Sequence, residues 1–287
     1  MRRISRIAVA AGLAVAALVS CTSDTEPAQT TRPPLADAIN VAVATDLPGI
    51  ALLKGGENQW TGFDADLWRW LGTHSTPPFR SVEVPAATDE RERFLIDGRA
   101  RLVVNVFSIT DDRRTRITLV GPYLITRQGV MVRASDTRID KASDLDGKRV
   151  CVPAGSTSLD QLLEGPLRAQ VTIIPEVANS TCVALLLSEQ VDAYTTDQLV
   201  LHGFSNANPG RLALVPSLVF GPQERYGIGL PPGDIAGCEA ITAKLREFLT
   251  NGDWEQFFGT HFPNLTPSDF KPDVKRLDPC SLNQTTK

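Results

Sequence analysis

Apolar strand segments alternate with helix segments twice along this chain, and that alternation limits the folds open to it more than any other feature. In the first series residues 39–44 form a strand signal that ends at the turn Thr45-Asp46-Leu47-Pro48-Gly49. Phe63, Leu67, Trp70 and Leu71 fall at helical spacing, which assigns their rings to a core. A second helix over 90–96 is broken by Asp97-Gly98, and 102–107 follows as a buried strand. The pattern resumes after Asp146-Gly147 with a strand over 149–152 and a loop, Gly155-Ser156-Thr157-Ser158, opening a helix around 159–163. A strand over 171–174, a helix over 180–188 and a strand over 191–194 complete this series. Such alternation builds a mainly parallel sheet flanked by helices, with sites at the carboxyl ends of strands. Two series predict two α/β lobes. Segments 129–133 and 226–230 carry the chain into and out of the second lobe; 235–249 is a helix, and Asn251-Gly252-Asp253-Trp254 is a turn closing back on the first.

The N-terminus is set apart from this pattern. Arg2, Arg3 and Arg6 precede an apolar run over 7–19, shorter than the roughly 20 residues a membrane span needs. It ends in Leu18-Val19-Ser20-Cys21, a bacterial lipobox in form, so Cys21 is the expected lipidation site. A diacylated cysteine is a two-chain anchor that holds a domain at a membrane surface. Residues 22–34, rich in Thr, Ser and Pro, predict a flexible tether. Removing the three leader arginines from 29 Lys and Arg against 33 Asp and Glu lowers the net charge from −4 to −7. An acidic chain without a basic stripe is no candidate for nucleic acid.

Of five cysteines, Cys151, Cys182, Cys238 and Cys280 remain once Cys21 takes lipid. An even remainder outside the cytoplasm suggests two disulfides. Three pairings are open; Cys151–Cys182 with Cys238–Cys280 is favoured because each then stays within one lobe. A zinc site is the alternative, but no CxxC spacing occurs and His74, His202 and His261 stand at no ligand spacing. No metal and no cofactor is expected.

Two segments carry candidate chemistry. Ser108-Ile-Thr-Asp-Asp-Arg113 offers a fixed cation and Val191-Asp-Ala-Tyr-Thr-Thr-Asp197 a fixed anion, the two charges needed to hold a zwitterionic amino acid. With Asp46-Leu-Pro-Gly49, Gly62-Phe-Asp-Ala-Asp66, Gly121-Pro-Tyr123, Asp144-Leu-Asp-Gly-Lys-Arg-Val150, Gly155-Ser-Thr157 and Tyr226-Gly-Ile-Gly229, these motifs run in order through nearly the whole chain. In that order the sequence resembles family-3 extracellular solute-binding proteins, the amino-acid receptors of ABC importers, and within them the actinobacterial glutamate-binding lipoproteins.

The resemblance implies a two-lobed, type II periplasmic-binding-protein-like α/β fold with a hinge. It implies roles by position: Arg113 and Ser108 hold the ligand α-carboxylate, and the Val106 carbonyl accepts from the ammonium. Ser156 and Thr157 clamp the carboxylate from the second lobe, and Asp197 pairs with the ammonium. A guanidinium fork suits a carboxylate, and a helix start suits an anion. Arg91 falls where glutamate receptors aim an arginine at the distal carboxylate, against a reading as a solvated residue of a charged helix; Asp46 completes the candidate set. Asp197 also reads as a helix N-cap before Gln198-Leu-Val-Leu201, and the two roles are compatible.

The departures are Ala44, where a basic residue is common, and Arg101, where an acid is usual. Gly49 and Thr88 stand where receptors for basic amino acids carry stacking aromatics, which argues against lysine or arginine. The expected division is leader 1–20, Cys21 and tether 21–36, lobe one 37–126 with 222–265, lobe two 127–221, and a C-terminal extension 266–287. The function expected is a lipid-anchored, monomeric receptor, not an enzyme, for glutamate or else aspartate, glutamine or asparagine, serving an ABC permease. The alternatives are an amino-acid sensor acting on a membrane partner and a dehydratase of the same fold using a cleft carboxylate.

Overall fold

The computed structural model describes residues 38–281 apart from 56–58 and 165–170. The leader, Cys21, the tether, and the last residues of the expected extension lie outside the described residues. Strand β1 (Ala38–Val43) leads into three short strands, β2 (Asp46–Leu47), β3 (Ala51–Lys54) and β4 (Gln59–Thr61), which form a small antiparallel sheet. Next come helix α1 (Phe63–His74), β5 (Arg80–Pro85), α2 (Arg91–Ile96), β6 (Leu102–Ser108), α3 (Asp111–Arg114) and β7 (Thr118–Arg133). The second series is β8 (Arg149–Pro153), α4 (Thr157–Glu164), β9 (Thr172–Glu176), α5 (Asn179–Leu187), β10 (Ala193–Asp197), α6 (Gln198–Ala207) and β11 (Leu212–Leu214). The chain closes with β12 (Phe220–Leu230), α7 (Ile235–Thr250) and α8 (Asp253–His261).

The main sheet runs β5-β1-β6-β12-β7-β10-β8-β9, with β11 also on β7. Its flanks, β5-β1-β6 and β10-β8-β9, are parallel, as α/β connections require. The two central strands are antiparallel to each other and to their neighbours. Two expected elements are extended here. Segment 129–133 is only the end of the 16-residue β7, and segment 226–230 the end of β12. Each is long because it serves both halves of the sheet. Of the turn expected at 251–254, Asp253 and Trp254 instead open a helix, α8, with Gly252 at its N-cap.

The rings assigned to a core lie there. Phe63, Leu67, Trp68 and Leu71 of α1 are fully buried. Phe63 packs edge-on against Trp254 of α8 at 5.7 Å and stacks with Tyr123 of β7 at 6.3 Å between centroids. Thus α8 closes the first half around α1. Arg101 has its reason too: its guanidinium pairs at 2.5 Å with Asp234, the N-cap of α7, whose other oxygen accepts from Gly237 N–H. Ala44 is buried, and its carbonyl accepts from the Trp60 indole at 2.9 Å.

Both favoured disulfides are formed, Cys151–Cys182 and Cys238–Cys280, with Cα separations of 5.5 and 5.7 Å. The second ties a C-terminal strap to α7. Along that strap Phe270 stacks on Phe258 and its carbonyl accepts from Ile125 N–H of β7. Asp278 N–H donates to the Gly121 carbonyl, and its carboxylate pairs with both Arg114 and Arg225. Replacing Cys238 and Cys280 together by Ser is expected to lower unfolding free energy by about 2–4 kcal/mol in urea titrations. An unchanged midpoint would mean that the non-covalent contacts alone hold the strap.

Candidate functional site

Local structure places each candidate side chain. At the end of β6 the backbone of Val106 turns to φ 41, a conformation β-branched residues rarely adopt and one that costs on the order of 1–3 kcal/mol. Two partners hold it there. Val106 N–H donates to the Asp64 carboxylate at 3.1 Å, and its carbonyl accepts from Arg91 Nη1 at 3.0 Å. Asp64, within the Gly62–Asp66 motif, is buried and also accepts from Tyr123 OH at 2.9 Å. Burial pushes its carboxyl up to about 7 against these two hydrogen bonds.

Arg91 is not a solvated helix residue. It is 3% exposed and all its bonds go to backbone carbonyls, those of Thr88, Asn105, Val106 and Gly155. Burial, then the neighbouring Arg113, lowers it to about 9, so it stays charged at neutral pH. Thr110 caps α3 by accepting from Arg113 N–H, and the Arg113 side chain turns into the cleft while Arg114 turns to Asp278 and Arg116 stays exposed. Its guanidinium donates to the Ser108 carbonyl at 2.8 Å and the Gly155 carbonyl at 3.1 Å, with Glu92 at 3.3 Å. Both guanidinium carbons stand about equally far from the Phe107 ring centroid, at 4.7 and 4.8 Å. Two cations from the first half therefore converge on one carbonyl of the second.

The second half supplies the facing wall. Ser156 caps α4, its hydroxyl donating to the Pro153 carbonyl and accepting from Leu159 N–H. Thr157 Oγ1 lies 3.4 Å from Ser108 Oγ across the cleft. Asp197 occupies the N-cap position of α6 without capping it; Thr126 Oγ1 takes the Leu199 N–H instead. The Asp197 carboxylate is thereby directed to Gln128 Nε2 at 2.8 Å and Tyr226 OH at 2.6 Å. Burial first, and the adjacent Glu224 second, push it up to about 8.

Arg91, Val106, Ser108, Ser156, Thr157 and Asp197 line one cavity of about 20 Å³, whose wall also includes Asn179. Arg113 stands just behind this lining, and Asp46 lies off it, its carboxylate accepting from Ser180 N–H at the start of α5. Sequence reasoning missed Gln128, Glu224, Tyr226 and Asn179. A polar pair, Arg127-Gln128, interrupting the apolar run of β7, and an acid two residues before Tyr226 in β12, were the available signals. Among the described residues no cluster of His, Cys, Asp or Glu could hold a metal.

The profile of the bacterial extracellular solute-binding proteins, family 3, matches residues 39–264. This chain belongs to that family. Within the family it is 29% identical to the glutamate-binding protein GluB of Corynebacterium efficiens, over 89% of this chain and 90% of that one. With GluB of Corynebacterium glutamicum the identity is 31% over 76% of each. An ancestral arginine-binding protein bound to arginine superposes with a TM-score of 0.72 at 25% identity, covering 79% of this chain and 99% of that one. The solute receptor for L-cysteine of Neisseria gonorrhoeae shares the fold, with a TM-score of 0.75 at 16% identity over 83% and 96%. The fold is accordingly the two-lobed α/β architecture of the amino-acid receptors. No described helix is long and apolar enough to cross a membrane.

The buried acid Asp64 generates a pH dependence. Its folded value of about 7 lies above the ordinary 3.8, so between these limits the folded chain holds the proton more tightly than the unfolded one. The associated stabilisation is complete below about pH 4 and lost as pH rises through about 7. In urea unfolding, Asp64→Asn is expected to remove a slope of about 1.4 kcal/mol per pH unit across that window. A variant slope equal to wild type would place the titration elsewhere.

Proposed function

We propose that this chain is a receptor for a free polar amino acid, glutamate in the first place, which it encloses by closing two lobes and passes to an ABC importer. The reading includes lipid attachment at Cys21, and lobes that meet where β7 and β12 cross, near 126–127 and 221–222. It places Arg113, Ser108 and Thr157 on the α-carboxylate, Asp197 and the Val106 carbonyl on the ammonium, and Arg91 on a distal carboxylate.

The observation that carries this reading is the pair of buried guanidiniums on the Gly155 carbonyl. Neither makes a bidentate carboxylate pair among the described residues, and withdrawal of the Gly155 carbonyl would free one Nη2 on each to meet a carboxylate oxygen. A ligand with two carboxylates matches two such Nη2 donors, and its ammonium matches Asp197. The relatives named for glutamate support the same choice. Neighbours named for arginine do not shift it, because Gly49 and Thr88 have no ring to stack on a cationic side chain.

Lobe motion follows from size. A 20 Å³ cavity has room for about one water, so an amino acid enters only when Gly155 withdraws from the two arginines. Two glycines make the close approach possible. Gly155, at φ +67, would bring a Cβ within 2.6 Å of Asp89 Cα. In α6 a Cβ on Gly203 would stand 2.1 Å from the Pro48 carbonyl oxygen.

Arg113→Ala and Asp197→Ala are each expected to weaken glutamate binding by roughly one to two decades in calorimetry, the worth of a buried charge-assisted contact. Near wild-type binding by both would sink the assigned site. Gly203→Ala should favour the isolated α6, since Ala is the better helix former, yet obstruct closure. A loss of roughly tenfold in affinity without loss of helicity is expected; full affinity would show that α6 need not seat on Pro48 in the bound form.

A further inference from the structure

We propose that Asp197 and Glu224 act as one proton-sharing acid pair, bridged by Gln128, and that this pair selects the charge of the amino acid the cleft accepts. The inference rests on the receptor reading and adds Glu224 and Gln128 to it as specificity-determining residues.

The geometry leaves these groups few options. Gln128 is fully buried, and Asp197 and Glu224 are 6% and 5% exposed. One amide nitrogen, Gln128 Nε2, donates to Asp197 Oδ1 at 2.8 Å and to Glu224 Oε1 at 3.0 Å, which uses both of its hydrogens. Thr157 Oγ1 is at 3.5 Å from the same nitrogen. Gln128 Oε1 accepts from Ser158 Oγ at 2.7 Å, so the amide cannot turn over without setting its oxygen against two carboxylates. The strand register enforces this arrangement: Gln128 of β7 is the ladder partner of Asp197 in β10, and Glu224 lies on β12, the other neighbour of β7.

The charges facing the pair come from four elements. Arg91 on α2 and Arg113 on α3 oppose it, Asp160 on α4 adds to it, and Tyr226 on β12 donates to it. Glu92 is already shared between Arg113 and Arg116. With the exposed, solvent-screened Asp160 set aside, Arg91 and Arg113 balance ionised Asp197 and Glu224 around a neutral zwitterion. A ligand with a second carboxylate adds one negative charge, which the proton held on the pair cancels. A ligand with a second cation would instead favour the pair fully ionised. Like charges sharing a buried site resist joint ionisation, and the raised Asp197 carboxyl, near 8, agrees with one proton held at neutral pH.

The test compares wild type with Glu224→Gln, which keeps an acceptor for Gln128 and deletes one charge. First, side-chain carboxyl carbons are followed by NMR in the unliganded protein as pH is raised. One wild-type titration near pH 8 is expected, shifting toward the ordinary range in Glu224→Gln, while that of Asp64 stays. Then L-glutamate and L-glutamine are titrated calorimetrically at about pH 6 and about pH 8.5, in buffers of different ionisation enthalpy. Glutamine carries the same ammonium and so controls for its titration. In wild type, glutamate affinity should fall several-fold relative to glutamine at the higher pH, with proton uptake on binding, and the variant should lose that dependence.

Wild-type carboxyls that both titrate in the ordinary range overturn the inference, whether or not the variant folds. So does amino-acid binding whose glutamate-to-glutamine ratio ignores pH. Absence of any amino-acid binding beside the expected carboxyl titration overturns the receptor reading and, with it, charge selection, but not the shared proton.

Discussion

Two buried guanidiniums must find oxygen, and the arrangement of the cleft follows from where they find it. Arg91 and Arg113 come from short helices of the first half and meet on the Gly155 carbonyl of the second. A buried cation without acceptors costs several kcal/mol. The Val106 carbonyl is therefore turned toward Arg91 by a strained φ, and Asp64 is buried to keep that turn in place. The same requirement couples the halves: one carbonyl satisfies both cations, and it is the one that a ligand carboxylate would displace in the proposed receptor. Affinity in such a cleft measures the difference between two sets of acceptors rather than the strength of one.

The fold was legible because its signals are local. Apolar runs, turn residues and helical spacing in α1, β6, β8 and α7 agree with the elements that form. The lengths of β7 and β12 were not legible, since the polar runs at the crossing, Thr126-Arg127-Gln128 and Pro222-Gln223-Glu224-Arg225, read as breaks although the strands continue through them. Of the candidate residues, six line one cavity and Arg113 supports it, while Asp46 works on the α5 terminus instead. Resemblance pointed to most of them. Charge alone did not separate Arg113 from Arg114 and Arg116; their partners do, Arg113 meeting the Ser108 and Gly155 carbonyls, Arg114 meeting Asp278 and Arg116 meeting Glu92.

Residues that resemblance passed over are those whose role depends on register. Gln128 is an unremarked amide in sequence, and only pairing with β10 on one side and β12 on the other gives it two acids to bridge. Arg101 is a similar case: an isolated departure until Asp234, far along the chain, is seen capping α7 beside it. Non-local partners of this kind leave no spacing to detect.

The C-terminal strap touches the crossing strands on one side only. Its bonds reach Gly121 and Ile125 of β7 and Arg225 of β12, and none of these bonds extends to Gln128 or beyond. Just past them the β12–β7 ladder slips in register between Phe220 and Glu224. A rod clamped up to a weak joint flexes at the joint, so in the proposed lobe closure the strap would be a splint that confines bending to the stretch holding Gln128 and Glu224. In the proposed closure, the axle of the motion and the proposed charge-selecting pair would be the same few residues.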